Sequence, residues 1–188
     1  LMGQKDGTEN PRTDDAFTEQ VWAGADAGWF AGGTQLVIRR IAMKLDTWDM
    51  LGPGDKEAAI GRRLASGAPL TGADEFDVPD FDARNDVGLT VIPDFSHIRR
   101  AHIDDPKFRF LRRPLNYDDG FNADGTPNSG LIFAAYTTNI TERYVPVQQR
   151  LADLDLLNVW TVPIGSSEFA IPPGVPAGGY IGQQLFDA

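Results

Sequence analysis

The chain of 188 residues contains no cysteine. That absence excludes disulfides, thiolate nucleophiles, Fe–S clusters and Cys-type zinc sites together, and it makes the chain indifferent to the redox poise of its compartment. Histidine is scarce as well. His97 and His102 are the only two, too few for a multi-histidine metal site. Long apolar runs are missing: the longest, residues 131–136, falls far short of a membrane span. Leu1-Met2-Gly3 offers neither the basic n-region nor the apolar h-region of a secretory signal, so the chain reads as a mature product or as one that begins inside a longer one. Positive charge is in deficit. With 17 Lys and Arg against 27 Asp and Glu the net charge is −10, which argues against nucleic acid or an anionic membrane as the main partner, since both would be repelled.

What is present fits one compact domain with a real core: 41% hydrophobic residues and four tryptophans. Glycine (20) and proline (13) are spread throughout, which predicts many short elements joined by turns. Residues 3–15 read as a loop. Residues 36–45 follow Gly32-Gly33 and read as a strand, and residues 56–64 as a short helix after a turn. Residues 66–94 form a loop-rich stretch whose acids (Asp74, Glu75, Asp77, Asp80, Asp82) read as solvated surface. Two further strands are expected at 108–115 and 131–136. The clearest helix is expected over 146–158, with Pro146 in its first turn and Val147, Leu151, Leu154 and Asn158 at helical spacing. At about 100° per residue, Asp155 lies roughly 70° from the centre of that stripe, against about 130° for Asp153. An acid beside a buried stripe needs a partner, because a buried lone carboxylate is costly. Pro172-Pro173-Gly174 then breaks the chain. Strands mixed with unevenly placed helices predict an α+β fold with a largely antiparallel sheet.

Single candidates for chemistry are weak. Asp6-Gly7 alone is a turn, and a lone His97 is an ordinary histidine. Arg112-Arg113 in an apolar strand says more, because adjacent strand residues face opposite sides and one arginine must point inward toward an anion or ligand. The order of the motifs says most. Gly-x-x-Asp-Gly-Thr-x-Asn at 3–10 is followed by Gly-Gly-Thr and Arg-Arg-Ile within 32–41, Gly61-Arg62 with Gly67-Ala68-Pro69-Leu70, Ser-His-Ile-Arg at 96–99, Leu-Arg-Arg at 111–113 and Gly-Leu-Ile-Phe at 130–133. Val-Pro-Val-Gln-Gln-Arg-Leu at 145–151, Phe-Ala-Ile-Pro-Pro-Gly at 169–174 and Tyr-Ile-Gly-Gln at 180–183 complete the series. This ordered set, covering residues 3–187, resembles the dye-decolorizing (DyP-type) heme peroxidase family, most closely its bacterial A-type branch with the deferrochelatase-like members.

The resemblance implies a ferredoxin-like α+β fold, with a largely antiparallel sheet and flanking helices. Family members carry two such halves, and the Gly-x-x-Asp-Gly motif lies near their junction. Residues 1–188 therefore correspond to a single heme-binding C-terminal domain, with the N-terminal half absent from this chain. The implied cofactor is heme b. His97 matches the proximal iron ligand and hence the metal site, while His102 has no counterpart. An axial histidine donates its other ring nitrogen to an acceptor, and Asp155, placed beside the stripe by periodicity, is the candidate.

Asp6 matches the distal catalytic acid and Arg112 the distal arginine. The carboxylate would shuttle a proton and the guanidinium would support developing negative charge; a structural pairing of Arg112 with an acid or a heme propionate is the alternative. Asp6 beside Arg112 is expected to keep a low pKa and to leave turnover active in acid. Gly7, Thr8 and Asn10 would shape the loop over the distal face, and Phe133 would pack there. Arg39 and Arg62 are candidates for the propionates or for ordinary ion pairs with carboxylates. Four Trp (22, 29, 48, 160) and four Tyr (117, 136, 144, 180) are candidates for passing electrons to bulky donors, or are simply core. The implied function is peroxidase turnover, oxidising dyes and phenolic or other aromatic donors with hydrogen peroxide. Heme handling of the deferrochelatase kind, or a half-fold that needs its partner half, are the rivals. The resemblance also implies a homo-oligomer and an extracytoplasmic or secreted location, reached by the twin-arginine route.

Overall fold

The computed structural model describes residues 1–4 and 7–186. Five strands form one sheet: β1 (Thr34–Met43), β2 (Leu111–Arg112), β3 (Leu115–Phe121), β4 (Pro127–Thr137) and β5 (Thr161–Ile171). Every pairing is antiparallel. β4 and β1 occupy the middle, β5 flanks β1, and β2 and β3 line up along the free side of β4. Counting β2 and β3 as one interrupted strand gives the β-α-β-β-α-β pattern with outer strands β5 and β2/β3, the split βαβ arrangement of ferredoxin-like folds.

The helices are short. α1 (Asp14–Gln20) starts where the Thr13 hydroxyl accepts the Ala16 N–H at 3.2 Å, with Asp14 and Asp15 in its first turn. α2 (Leu45–Asp49) and α3 (Pro53–Ile60) follow β1. α4 (His97–Ala101) comes after the long irregular segment, and α5 (Val145–Leu154) joins β4 to β5. In β1, Val37, Arg39, Ile41 and Met43 share one face with Ala135, Phe133 and Leu131 of β4, which stand opposite the first three. That face meets the helices. Val37, Phe110, Ala135, Ile140, Tyr144 and Val147 form one core cluster, and Trp48, Ala59, Ile60 and Leu157 a second.

Several element boundaries differ from those expected. The strand expected at 108–115 is two pieces, because Pro114 has no N–H for the ladder and interrupts it. The helix expected at 56–64 spans Pro53–Ile60 and stops at Gly61, whose φ of +92° is the left-handed stop that glycine supplies. The helix expected to reach 158 ends at Leu154, because Asp155 turns to an extended conformation and caps a new turn. α1 begins inside the segment read as loop. β5 is not legible in the sequence: Pro163, Gly165 and the polar Thr161, Ser166, Ser167 and Glu168 conceal it. An edge strand tolerates that composition, and the ladder bulges where Arg40 opposes Gly165 and Ile41 opposes Pro163.

Gly61 also brings α3 against α4. A Cβ there would meet Ile98 Cγ1 at 2.6 Å, one residue after His97. Gly61→Ala combines a left-handed backbone with overpacking, so a loss of about 2–5 kcal/mol is expected in chemical denaturation. A loss below about 1 kcal/mol would show that this contact gives way easily.

Candidate functional site

Between the sheet and the α4–α5 pair lies a cavity of about 540 Å³, within the range of ligand pockets. Ile41, Met43, Leu131 and Phe133 come from the sheet, and Ile98 and Leu151 from α4 and α5. Two imidazoles line this space, His97 and His102, together with the guanidinium-bearing Arg39, Arg62, Arg109 and Arg112; His102 turns its Nε2 to Asp104 at 3.3 Å.

His97 opens α4. The preceding Ser96 is fully buried and fixes the turn by donating its hydroxyl to the Pro93 carbonyl at 2.8 Å. α5 secures the other end of α4: Arg150 donates to the carbonyls of Arg100 (3.2 Å) and His102 (2.6 Å). Asp155 is buried, and its two oxygens have separate tasks. Oδ1 accepts the Leu157 N–H at 3.0 Å, capping the turn that follows α5, and Oδ2 meets His97 Nδ1 at 2.7 Å. An ionised carboxylate can only accept, so Nδ1 donates its proton to Asp155, and in the neutral ring this leaves the lone pair on Nε2. No hydrogen bond or ion pair among the described residues engages Nε2. The Leu156 N–H donates to the Phe95 carbonyl at 3.0 Å, binding the Asp155 turn to the His97 loop. The arrangement is that of a ligating histidine held by an acceptor behind it.

Arg112 sits in β2 opposite Ala135, on the sheet face that carries Arg39 and Phe133. Asn10 fastens its backbone twice: Asn10 Nδ2 donates to the Arg112 carbonyl at 2.8 Å, and the Arg112 N–H donates to Asn10 Oδ1 at 2.9 Å. The Asn10 N–H in turn donates to the Gly7 carbonyl at 3.0 Å. Gly7 has a φ of +89°, and a Cβ there would approach Asn10 Nδ2 to 2.9 Å, so this tight turn requires glycine. Asp6, the expected distal acid, lies outside the described residues.

Arg62 is buried, and Nη1 donates to the carbonyls of Gly67 and Glu75, both at 2.8 Å. Burial is the main effect lowering its pKa, and Arg112 nearby acts in the same direction, while Glu9 and Glu75 oppose them. The Glu75 carboxylate accepts from the Thr8 hydroxyl at 3.3 Å. Arg62 thus touches the cavity while bracing the 67–75 loop. Arg39 donates to the Tyr144 hydroxyl at 3.4 Å and to Gln148 Oε1. Neither Arg39 nor Arg62 forms an ion pair with a carboxylate among the described residues.

The structure therefore brings Gly7, Thr8, Arg39, Arg62, His97, Arg112, Phe133 and Asp155 to one cavity, with Asn10 bonded to the Arg112 backbone beside it. Sequence reasoning missed Gln148, although it lies four residues after Tyr144, the spacing at which helical side chains meet. It also treated Glu75 as part of a solvated run; nothing local distinguishes it from its acidic neighbours.

The cavity combines mostly apolar walls with fixed guanidinium groups and a histidine backed by a buried carboxylate, a donor set suited to an apolar ligand that carries a metal and anionic groups. The family model described as "Dyp-type peroxidase, C-terminal" matches residues 1–176, and the chain belongs to that family. Among curated relatives, the dye-decolorizing peroxidase of Thermobifida fusca is 38% identical over 194 residues, covering 100% of this chain and 45% of that protein. A deferrochelatase of Yersinia pestis is 34% identical over 197 residues, again 100% against 45%. The crystal structure of the DyP-type peroxidase from Cellulomonas bogoriensis superposes with a TM-score of 0.93 at 46% identity, covering 100% of this chain and 52% of that one. The chain thus spans about half the length of the relatives it matches. The mixed helix and antiparallel-sheet fold agrees with the ferredoxin-like fold of this family.

Proposed function

We propose that this chain is the heme-bearing half of a dye-decolorizing peroxidase, which reduces hydrogen peroxide at the expense of dyes and phenolic or other aromatic donors. One peroxide takes one electron and one proton from each of two donors and leaves as two waters. The observation that carries this reading is the buried Asp155 behind His97, in the same cavity as Arg112.

The residues present fit heme. Apolar walls would suit a macrocycle, His97 Nε2 would serve as the iron ligand, and the fixed charge of Arg39 would hold a propionate. Heme b is the form proposed, as the family resemblance implies. When bound, heme supplies the iron that takes up peroxide and the capacity to accept two electrons one at a time. The chain's own residues do the rest. Asp155 holds the Nδ1 proton of His97 and raises the basicity of Nε2. Arg112 places a permanent positive charge where negative charge develops. Asp6, by its match to the family motif, is the proposed proton carrier, and the Gly7–Asn10 turn that follows it is fastened to Arg112.

The likeness to proteins named deferrochelatase supports a second reading, in which the same cavity handles heme with little turnover. A further part of the proposal is that an N-terminal half covers the far sheet face. There Leu115, Val162 and Phe169 are exposed, and apolar patches of this kind mark interfaces.

The test loads the protein with heme, with and without an N-terminal half, and adds hydrogen peroxide and a phenolic donor. Two donors oxidised per peroxide supports the peroxidase reading. Release of iron-free porphyrin, seen by its fluorescence, without donor oxidation would support the second reading instead. Failure of both forms to bind heme would overturn both readings.

A further inference from the structure

The chain has three methionines, and their settings differ. Met50 is 78% exposed and does not line the cavity, whereas Met2 and Met43 both do. Met2 packs against the second core cluster, as does Ile98 of α4, and Trp48 Nε1 donates to its carbonyl at 3.1 Å. It therefore belongs to the His97 side. Met43 ends β1 and is half-buried. Strand alternation puts it in line with Arg39 and Ile41, on the sheet face that also carries Phe133 and Arg112. That wall lies across the cavity from α4 and His97.

A histidine ligand on one face of a planar cofactor leaves the opposite face for peroxide, and Met43 carries the one sulfur on that side. A thioether is soft, and its lone pair is the usual target of two-electron oxidation to the sulfoxide. No cysteine competes with it. Its neighbours on the same wall, Ile41 and Leu131, have no lone pair to offer.

We propose that Met43 is a modification site, converted to its sulfoxide when peroxide is in excess over donor, and that this change loosens the cavity's hold on heme. The proposal rests on the peroxidase reading above. The step balances: the Met43 sulfur bonds to one peroxide oxygen, the O–O bond breaks, and the second oxygen leaves with both protons as water. Sulfur is oxidised by two electrons and peroxide is reduced by two. Heme draws peroxide to this side of the cavity, so oxidation of Met43 depends on iron. The product puts a polar side chain beside Ile41 and Leu131. A polar group against apolar surface is costly unless it finds a partner, so the wall fits an apolar macrocycle less well. Turnover thereby limits itself, because cofactor is lost once donor runs out.

The test compares the heme-loaded protein with protein loaded with zinc protoporphyrin, which fills the same cavity and does not reduce peroxide. Both carry the N-terminal half where loading requires it. Each is given excess hydrogen peroxide without donor, digested, and read by mass spectrometry for one added oxygen on each methionine. Met50 is open to bulk peroxide and should be oxidised equally in the two forms. Met43 is expected to be oxidised several-fold more in the iron form than in the zinc form, ahead of Met2, and a phenolic donor should suppress this. Met43→Leu nearly conserves volume and removes the sulfur, so its heme absorbance should outlast that of the wild type under the same peroxide. Equal oxidation of Met43 in the two forms, oxidation of Met2 ahead of it, or heme loss as fast in Met43→Leu as in wild type overturns the assignment alone. An iron form whose spectrum peroxide does not change, with Met43 unoxidised, overturns the peroxidase reading and the assignment with it.

Discussion

Arg112→Leu is expected to slow the reaction of the heme-loaded protein with hydrogen peroxide by about 10²–10³-fold, the usual cost of removing one preorganised donor from developing charge. Heme uptake should be nearly unchanged, since Arg112 comes from the sheet and His97 from α4. The backbone clamp explains why the side chain can serve this purpose. Asn10 holds both the N–H and the carbonyl of Arg112, so the guanidinium extends from a fixed base. Leucine fills a similar volume and leaves the clamp in place, which separates charge from folding. Arg112→Lys should recover part of the rate, because it restores charge without the planar fork. Stopped-flow absorbance at increasing peroxide gives the rate constants. Equal loss of heme affinity and peroxide rate in Arg112→Leu would assign the arginine a structural role instead.

The second large effect belongs to Asp155. Asp155→Asn is expected to weaken heme binding or turnover by about 10–100-fold, the range found when the acceptor behind a metal-ligating histidine is changed. Asparagine can still accept the Leu157 N–H, so the turn after α5 should survive and the melting temperature should move little. Asp155→Ala removes both functions and should cost about 1 kcal/mol more in stability through the lost cap. Heme titration and thermal melting of the two variants side by side separate pairing from capping. If Asp155→Asn matched wild type in affinity and turnover, the 2.7 Å contact would have no role in holding the ligand.

The way Asp155 enters the account shows how far sequence reasoning reaches. Helical spacing places it beside the buried stripe of a helix running to Asn158. The structure ends α5 at Leu154, and Asp155 reaches His97 as the capping residue of the next turn. Periodicity reports that a residue is near the core, but the choice between helix and cap is local hydrogen bonding that period cannot express. β1 and β4 are legible because apolar residues fill both faces at the sheet centre. β5 is not, because an exposed edge strand needs no apolar pattern and its bulge accepts Pro163. The Arg39–Tyr144–Gln148 cluster joins residues more than 100 positions apart, so only the folded sheet can reveal it.

The measurement that bears most directly on the central claim is the resonance Raman spectrum of the ferrous heme-loaded protein. The account predicts an iron–histidine stretching band that shifts with ¹⁵N-labelled histidine, moves to lower frequency in Asp155→Asn and disappears in His97→Ala. A band that persists unchanged in His97→Ala, or none in the wild type, would contradict His97 as the ligand and the site built around it.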